Sequence, residues 1–270
     1  MSQPAAFDQL CALARAAGRT TLRWWNQPLE VKAKIDDSPV TAADLAAHRC
    51  IVDGLKALTP DIPVVSEEDA DVSAHTREAW QRFWLVDPLD GTKEFISGSD
   101  EFTVNIALIE QGQVSLGVVG IPARDEMFWG GRGIGAWRSS GPGEAAPIRV
   151  RPASDTLVVV ASRRHSTPEQ QALMTRLGEH RPVDTISVGS SLKFCQIAAG
   201  EADLYPRFGP TSQWDTAAAQ AVLEGAGGQV VDLAGNRFAY PTRESWLNPF
   251  FIALGGLDRP TLDLVLEQSR

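Results

Sequence analysis

The 270-residue sequence is short of the residues and runs that mark several protein classes. It has three cysteines, Cys11, Cys50 and Cys195, an odd number without zinc-ligand spacing. Neither a disulfide framework nor a zinc site is predicted, and buried free thiols in a reducing cytoplasm are the simplest expectation. No apolar run approaches the ~20 residues of a membrane span. The opening residues, MSQPAAFDQL, lack the basic and apolar regions of a signal peptide. The net charge is −9 and no Lys/Arg cluster stands out, which argues against binding a nucleic acid polymer. No G-x-x-x-x-G-K-[ST] loop occurs, and GRGIGAW lacks the strand and helix context of a dinucleotide site. The histidines suggest no Ser/His/Asp triad. His48 falls inside a helical pattern, His75 and His180 lie in polar surroundings, and His165 sits at a strand end, a common place for a surface loop residue.

What remains is ordinary for a globular protein, with 43% apolar and 22% charged residues and length for one large or two modest domains. The stretch that organises the chain is FWLVDPLDGTKEF, residues 83–95. Its apolar run reads as a buried strand, and Pro88, which cannot donate to a ladder, predicts that the strand ends at Asp87. Asp87 and Asp90 then share one tight turn at a strand mouth, where open α/β sheets place ligands.

Apolar steps of three and four over residues 5–25 predict an amphipathic helix. Thr41 with Asp44 reads as a capping box for a second helix that runs to Pro60. Asp36 and Asp37 precede it in a polar loop, as turn residues would. A short strand over 62–65 leads into Ser66, Glu67, Glu68 and Asp69. Three adjacent acids are usually a solvated run, but a second acidic strand end so close to Asp87 makes a shared cation site plausible. FTVNIALIE and QVSLGVVGI flank Gln111-Gly112 as a hairpin, and EMFW and IGAWR suggest further antiparallel strands. After the loop 139–147 the rhythm changes to strand and helix in alternation, which indicates an α/β layer. The boundary is placed near Arg151, giving units 1–150 and 151–270.

The acids suggest oxygen-ligand chemistry. Magnesium takes carboxylates, water and phosphate oxygens, and two such ions about 3.5–4 Å apart can clamp a phosphoryl displacement. Glu67, Asp87 and Asp90 are candidate ligands, with the Leu89 carbonyl in the same turn. Asp215, three residues after Ser212, reads as a second capping box and equally as a fourth ligand at a helix start. Gly91 and Thr92 suit a phosphate-contacting turn. A carboxylate nucleophile of the haloacid dehalogenase type would need D-x-D, and the spacing here is D-x-x-D.

The motifs VVSEED, WLVDPLDGTKEF and WDTAAAQAVLEGAGG resemble those of the inositol monophosphatase-like family of lithium-sensitive, magnesium-dependent phosphatases. DDSPVTAAD, GTKEF and GSSLKFCQIAAGEADLYPRFGPTSQWD resemble its bacterial 3'(2'),5'-bisphosphate nucleotidase branch. The resemblance spans nearly the whole chain. It implies a layered αβαβα fold of two α/β halves with two or three Mg2+ ions between them. Glu67, Asp87, Leu89, Asp90 and Asp215 would bind the metal. Thr92, with Glu67 and Asp36, would position and activate a water nucleophile. Gly91 and Thr92 would contact the departing phosphate, and His165, Ser190, Lys193, Arg207 and Asp215 would line the substrate. The implied substrate is adenosine 3',5'-bisphosphate, hydrolysed to AMP and phosphate in sulfur assimilation. An inositol or sugar phosphate is the alternative within the same chemistry, and a binding protein without turnover the alternative outside it. The branch admits a homodimer and attachment to the cytoplasmic face of the inner membrane, although no anchor is evident in the sequence.

Overall fold

The computed structural model describes residues 5–27, 31–33, 39–141, 144–152, 154–161 and 167–267. The chain opens with α1 (Ala5–Leu22), a small ribbon of β1 (Lys32–Ala33) and β2 (Pro39–Val40), and α2 (Ala42–Leu58). Phe7, Leu10, Ala14 and Ala17 on α1, and Ala47, Ile51 and Leu55 on α2, recur at helical spacing and are all buried. They cover one face of a seven-stranded sheet, against Trp84, Val86, Val104, Ile106, Leu108 and Val118.

That sheet runs in chain order through β3 (Val64–Ser66), β4 (Arg82–Asp90), β5 (Thr103–Glu110), β6 (Gln113–Ile121), β7 (Glu126–Gly131), β8 (Gly135–Ser140) and β9 (Ala146–Pro147). Only the β3–β4 pair is parallel. The short helices α3 (Ala74–Glu78) and α4 (Thr92–Ile96) flank β4 in sequence. Gln111 and Gly112 both have positive φ, 51° and 73°, the condition for a two-residue turn matched to strand twist. The hairpin over 103–121 forms as expected.

The second sheet has the order β11-β10-β12-β14-β13, built from β10 (Leu157–Ala161), β11 (Val183–Ser187), β12 (Leu204–Arg207), β13 (Gln229–Asp232) and β14 (Phe251–Leu254). Helices α5 (Pro168–His180) and α8 (Arg259–Leu266) bury Leu173, Leu177 and Val265 on its outer face. Helices α6 (Leu192–Ala198) and α7 (Ala217–Gly225) fill the space between the sheets, in a core shared by Leu85, Ala107 and Phe128 from one and Val160, Tyr205 and Ala253 from the other. The layers are therefore αβαβα. The two sheets part near residue 150, yet both depend on α6 and α7 for burial.

The fit of α7 sets how closely the halves approach. Ala217, Ala218, Ala219 and Ala221 present little volume to the first sheet. A Cβ on Gly117 would lie 2.2 Å from the Ala218 carbonyl oxygen, so only glycine permits this contact. Overpacking of this kind costs about 1–3 kcal/mol.

One expectation for the organising stretch is corrected. β4 does not stop at Asp87 but continues to Asp90. Asp87 pairs with Asn105 and Asp90 with Thr103, so three steps on β4 oppose two on β5 and the extra residue makes a bulge. Pro88 is tolerated because β3 pairs only as far as Val86, leaving the Pro88 nitrogen without a ladder to complete. α7 likewise starts only at Ala217, with Thr216 as N-cap, so Asp215, expected at the helix start, lies just before it. Residues 212–216 form turns instead, through Asp215 N–H to Ser212 O and Thr216 N–H to Gln213 O.

Candidate active site

The bulge in β4 re-aims its carboxylates into the seam between the halves. Asp87 is buried, and its Oδ1 accepts the Leu89 N–H at 3.0 Å, which closes the turn around Pro88. Glu67 follows β3 and is tied to β4 by its N–H to the Val86 carbonyl, 3.0 Å. From the second half, Asp215 Oδ2 accepts the Ser212 N–H at 2.9 Å, within a turn that precedes α7 and not as the expected capping box, since the N-cap is Thr216. Asp90 Oδ2 accepts the Ser190 hydroxyl and the Ser191 N–H, both at 2.7 Å. Strand ends of one sheet and the approach to a helix of the other thus bring Glu67, Asp87, Asp90 and Asp215 together.

Their electrostatics record this crowding. Burial pushes the Asp87 carboxyl well above the usual range, and Glu67, Asp90 and Asp215 push it further. Asp215 rises for the same reasons, burial first and then Asp90 and Glu67, despite the opposing Ser212 N–H and Arg207. A hydrogen bond between the Glu67 and Asp87 side chains is consistent with one of them holding a proton.

Thr92 opens α4 after Gly91, whose φ of 90° favours glycine. Its hydroxyl lies 3.3 Å from both the Leu89 carbonyl oxygen and Asp44 Oδ1. Asp44 is buried, and its Oδ2 accepts the Thr41 N–H at 2.8 Å and the Thr41 hydroxyl at 2.6 Å. The capping box of α2 is present as expected. Sequence reasoning gave Asp44 that role alone and missed its reach to Thr92. Asp36 lies outside the described residues. Among the described residues, Asp44 is the acid that touches the Thr92 hydroxyl.

On the far side of Asp90 stands a buried cation. Lys193 is 7% exposed and donates to the Ser190 carbonyl oxygen at 2.9 Å, with its ammonium 5.4 Å from the Tyr205 ring centroid. Burial depresses its pKa to about 8, against the pull of Asp90. Arg207, at the end of β12, donates to the carbonyl oxygens of Gly209 (3.2 Å) and Pro210 (2.5 Å). Lys193 and Arg207 are near enough that Arg207 also depresses Lys193. Ser190, at φ 55°, is held in the left-handed region by these contacts. His165 lies outside the described residues. His48 pairs with Ser66 Oγ at 2.9 Å, and burial lowers its pKa.

Among the described residues these carboxylates do not form a finished cation cage, and one oxygen each of Asp87, Asp90 and Asp215 accepts a protein hydrogen bond. The donor set is nevertheless all oxygen, and the carboxyls of Asp87 and Asp215 are raised for want of compensating charge. That combination fits a hard divalent cation such as Mg2+. Glu67, Asp87, Asp90, Asp215 and the Leu89 carbonyl could hold it.

The fold and this seam define the class. The chain belongs to the inositol monophosphatase family, whose model matches residues 5–253. It is 53% identical over 246 residues to the 3'(2'),5'-bisphosphate nucleotidase CysQ of Salmonella typhimurium, covering 90% of this chain and 97% of that protein. Its structure is similar to that of CysQ from Bacteroides thetaiotaomicron, a bacterial member of the same family, with a TM-score of 0.81, 37% identity and coverage of 94% and 99%. An inositol monophosphatase of Thermotoga maritima aligns with a TM-score of 0.78 and 27% identity, covering 98% of this chain and 96% of that one.

Proposed function

We propose that the protein is a magnesium-dependent 3'(2'),5'-bisphosphate nucleotidase, which hydrolyses adenosine 3',5'-bisphosphate to AMP and phosphate and so serves sulfur assimilation. The observation that carries this reading is the buried Lys193 beside Asp90, with Arg207 adjacent. An acidic seam suits a cation and one phosphate, whereas a second fixed pair of positive groups suits a substrate with a second phosphate. The nucleotidase relatives support the same substrate.

In this reading Glu67, Asp87, Asp90, Asp215 and the Leu89 carbonyl hold the Mg2+ ions. When bound, Mg2+ would neutralise phosphoryl oxygens and lower the pKa of water. The chain's own residues do the rest. As the attacking water gives a proton to Thr92 Oγ1, the Thr92 hydroxyl passes its own to the Asp44 carboxylate at Oδ1, 3.3 Å away. Glu67 is placed to orient the same water. Gly91, without a side chain, lets backbone approach the departing phosphate. Ser190, Lys193 and Arg207 fix the rest of the nucleotide. The free thiols of Cys11, Cys50 and Cys195 fit a reducing cytoplasmic setting. Among the described residues no helix is long and apolar enough to cross a membrane.

The test is to strip divalent ions from the purified protein, assay phosphate release from adenosine 3',5'-bisphosphate, and then restore Mg2+. Activity should vanish and return. Turnover that survives complete chelation would refute the mechanism.

A further inference from the structure

Asp90 is held by a chain of hydroxyls of which the proposed reaction uses only Ser190, as a nucleotide contact. Ser190 Oγ lies 2.7 Å from Asp90 Oδ2. Thr103 Oγ1 lies 2.5 Å from Ser190 Oγ, 2.8 Å from Ser191 Oγ and 3.5 Å from Asp90 Oδ2. The Ser191 hydroxyl donates to Asn105 Oδ1 at 2.8 Å. Thr103, Ser191 and Asn105 are all buried, so water is no substitute partner. The chain crosses from β5 in the first half to the start of α6 in the second.

A hydroxyl carries one proton, and an amide oxygen carries none. Ser191 has committed its proton to Asn105, so the protons of Ser190 and Thr103 must serve the remaining contacts. Three protons cannot serve all four close contacts, and two arrangements matter here, the first leaving Thr103–Ser191 and the second Ser190–Asp90 without a proton. In the first, Ser190 donates to Asp90 and Thr103 donates to Ser190. In the second, Ser190 donates to Thr103 and Thr103 donates to Ser191, so every proton points away from Asp90. Only rotation about C–O bonds separates the two. The second leaves Asp90 Oδ2 with the Ser191 N–H alone and frees a lone pair.

We propose that Thr103, Ser190 and Ser191 form a reversible hydroxyl chain, terminated by Asn105, which turns away from Asp90 when a divalent cation takes Asp90 Oδ2. This rests on the reading of Asp90 as a ligand. The three hydroxyl residues are positioning residues, and Thr103 is the pivot, because it is the acceptor that receives the Ser190 proton. Without that acceptor the nearest acceptor left to the half-buried Ser190 hydroxyl is Asp90 Oδ2, and a proton kept there opposes the cation. Partners behind a metal ligand typically govern affinity by about 10- to 100-fold.

The experiment is calorimetric titration of Mg2+ into chelator-treated protein for the parent, Thr103→Val, Thr103→Ser and Asp90→Asn, with the melting temperature of each metal-free protein recorded. Thr103→Val should raise the Mg2+ Kd about tenfold. Thr103→Ser, which keeps the hydroxyl, should stay near the parent. A packing role alone would move the metal-free melting temperature of Thr103→Val and leave its Kd unchanged, and that result overturns the proposal. If Thr103→Val does not fold, Ser191→Ala removes the acceptor for the Thr103 proton and must weaken Mg2+ in the same direction. Parent-like Mg2+ binding by Asp90→Asn would overturn the ligand reading and the chain with it, whereas weakened Asp90→Asn beside parent-like Thr103→Val overturns the chain alone.

Discussion

Asp44 Oδ1 lies 3.3 Å from Thr92 Oγ1, so the carboxylate that caps α2 also reaches the hydroxyl that opens α4. The two roles separate under substitution. Asp44→Asn should lower kcat about 100- to 10,000-fold, the usual span for a lost acid-base contribution, with little change in KM. Weakening of the cap should cost about 1 kcal/mol, read from denaturant midpoints. Thr92→Val should match it in kcat, and Thr92→Ser should retain most of the rate. Parent-like turnover in Asp44→Asn would remove the pair from the chemistry.

The raised carboxyls of Asp87 and Asp215 set the sign of a pH effect. Across the window between an ordinary carboxylate pKa and the raised one, the folded state binds more protons than the unfolded. Stability of the metal-free protein therefore falls as pH rises through that window. Melting temperatures of chelator-treated protein should decline as pH rises above the ordinary carboxylate range, and added Mg2+ should remove the decline. Asp87→Asn should raise the metal-free melting temperature at the upper end and abolish activity. A flat metal-free profile would mean that the acids do not crowd in solution.

Lys193, held to about 8 by burial, should lose its charge at the alkaline edge of the assay range. The proton-bound form is the one that pairs with a phosphate. For the nucleotide, kcat/KM should fall as pH rises above that value, since this ratio reports the free enzyme. Lys193→Met should lower kcat/KM for adenosine 3',5'-bisphosphate more than for inositol 1-phosphate and should lack the alkaline limb. Equal losses on both substrates would detach Lys193 from the second phosphate.

Away from the acids, the buried Tyr240 hydroxyl donates to Gln220 Oε1 at 2.8 Å and lies 3.1 Å from Thr216 Oγ1. Gln220 Nε2 in turn donates to Glu224 Oε1 and the Phe238 carbonyl oxygen. Tyr240→Phe strands the Gln220 oxygen and should cost about 1–3 kcal/mol in a denaturant melt. A smaller loss would mean that the glutamine finds another donor.

The layers were legible in the sequence because their causes are local. The Gln111-Gly112 turn fixed one hairpin, and the Thr41–Asp44 capping box marked the start of α2. Of the candidate site, Glu67, Asp87 and Asp90 were legible as strand-end carboxylates and Asp215 as an acid at a helix start. What escaped were features set by neighbours distant in the chain. Pro88 marks a strand end only if both edges are paired, and β3 is too short to pair there. Asp44 looked complete as a cap because its second contact, Thr92, lies 48 residues away. Thr103 and Asn105 carry no motif, and Ser191 has no role of its own within the GSSLKF stretch. Their alignment arises only when the start of α6 meets β5.

The central claim is most directly tested by Mg2+-dependent phosphate release from adenosine 3',5'-bisphosphate, inositol 1-phosphate and fructose 1,6-bisphosphate at one concentration. The account predicts that the nucleotide is turned over fastest and that chelation abolishes all release. Faster release from inositol 1-phosphate would contradict it.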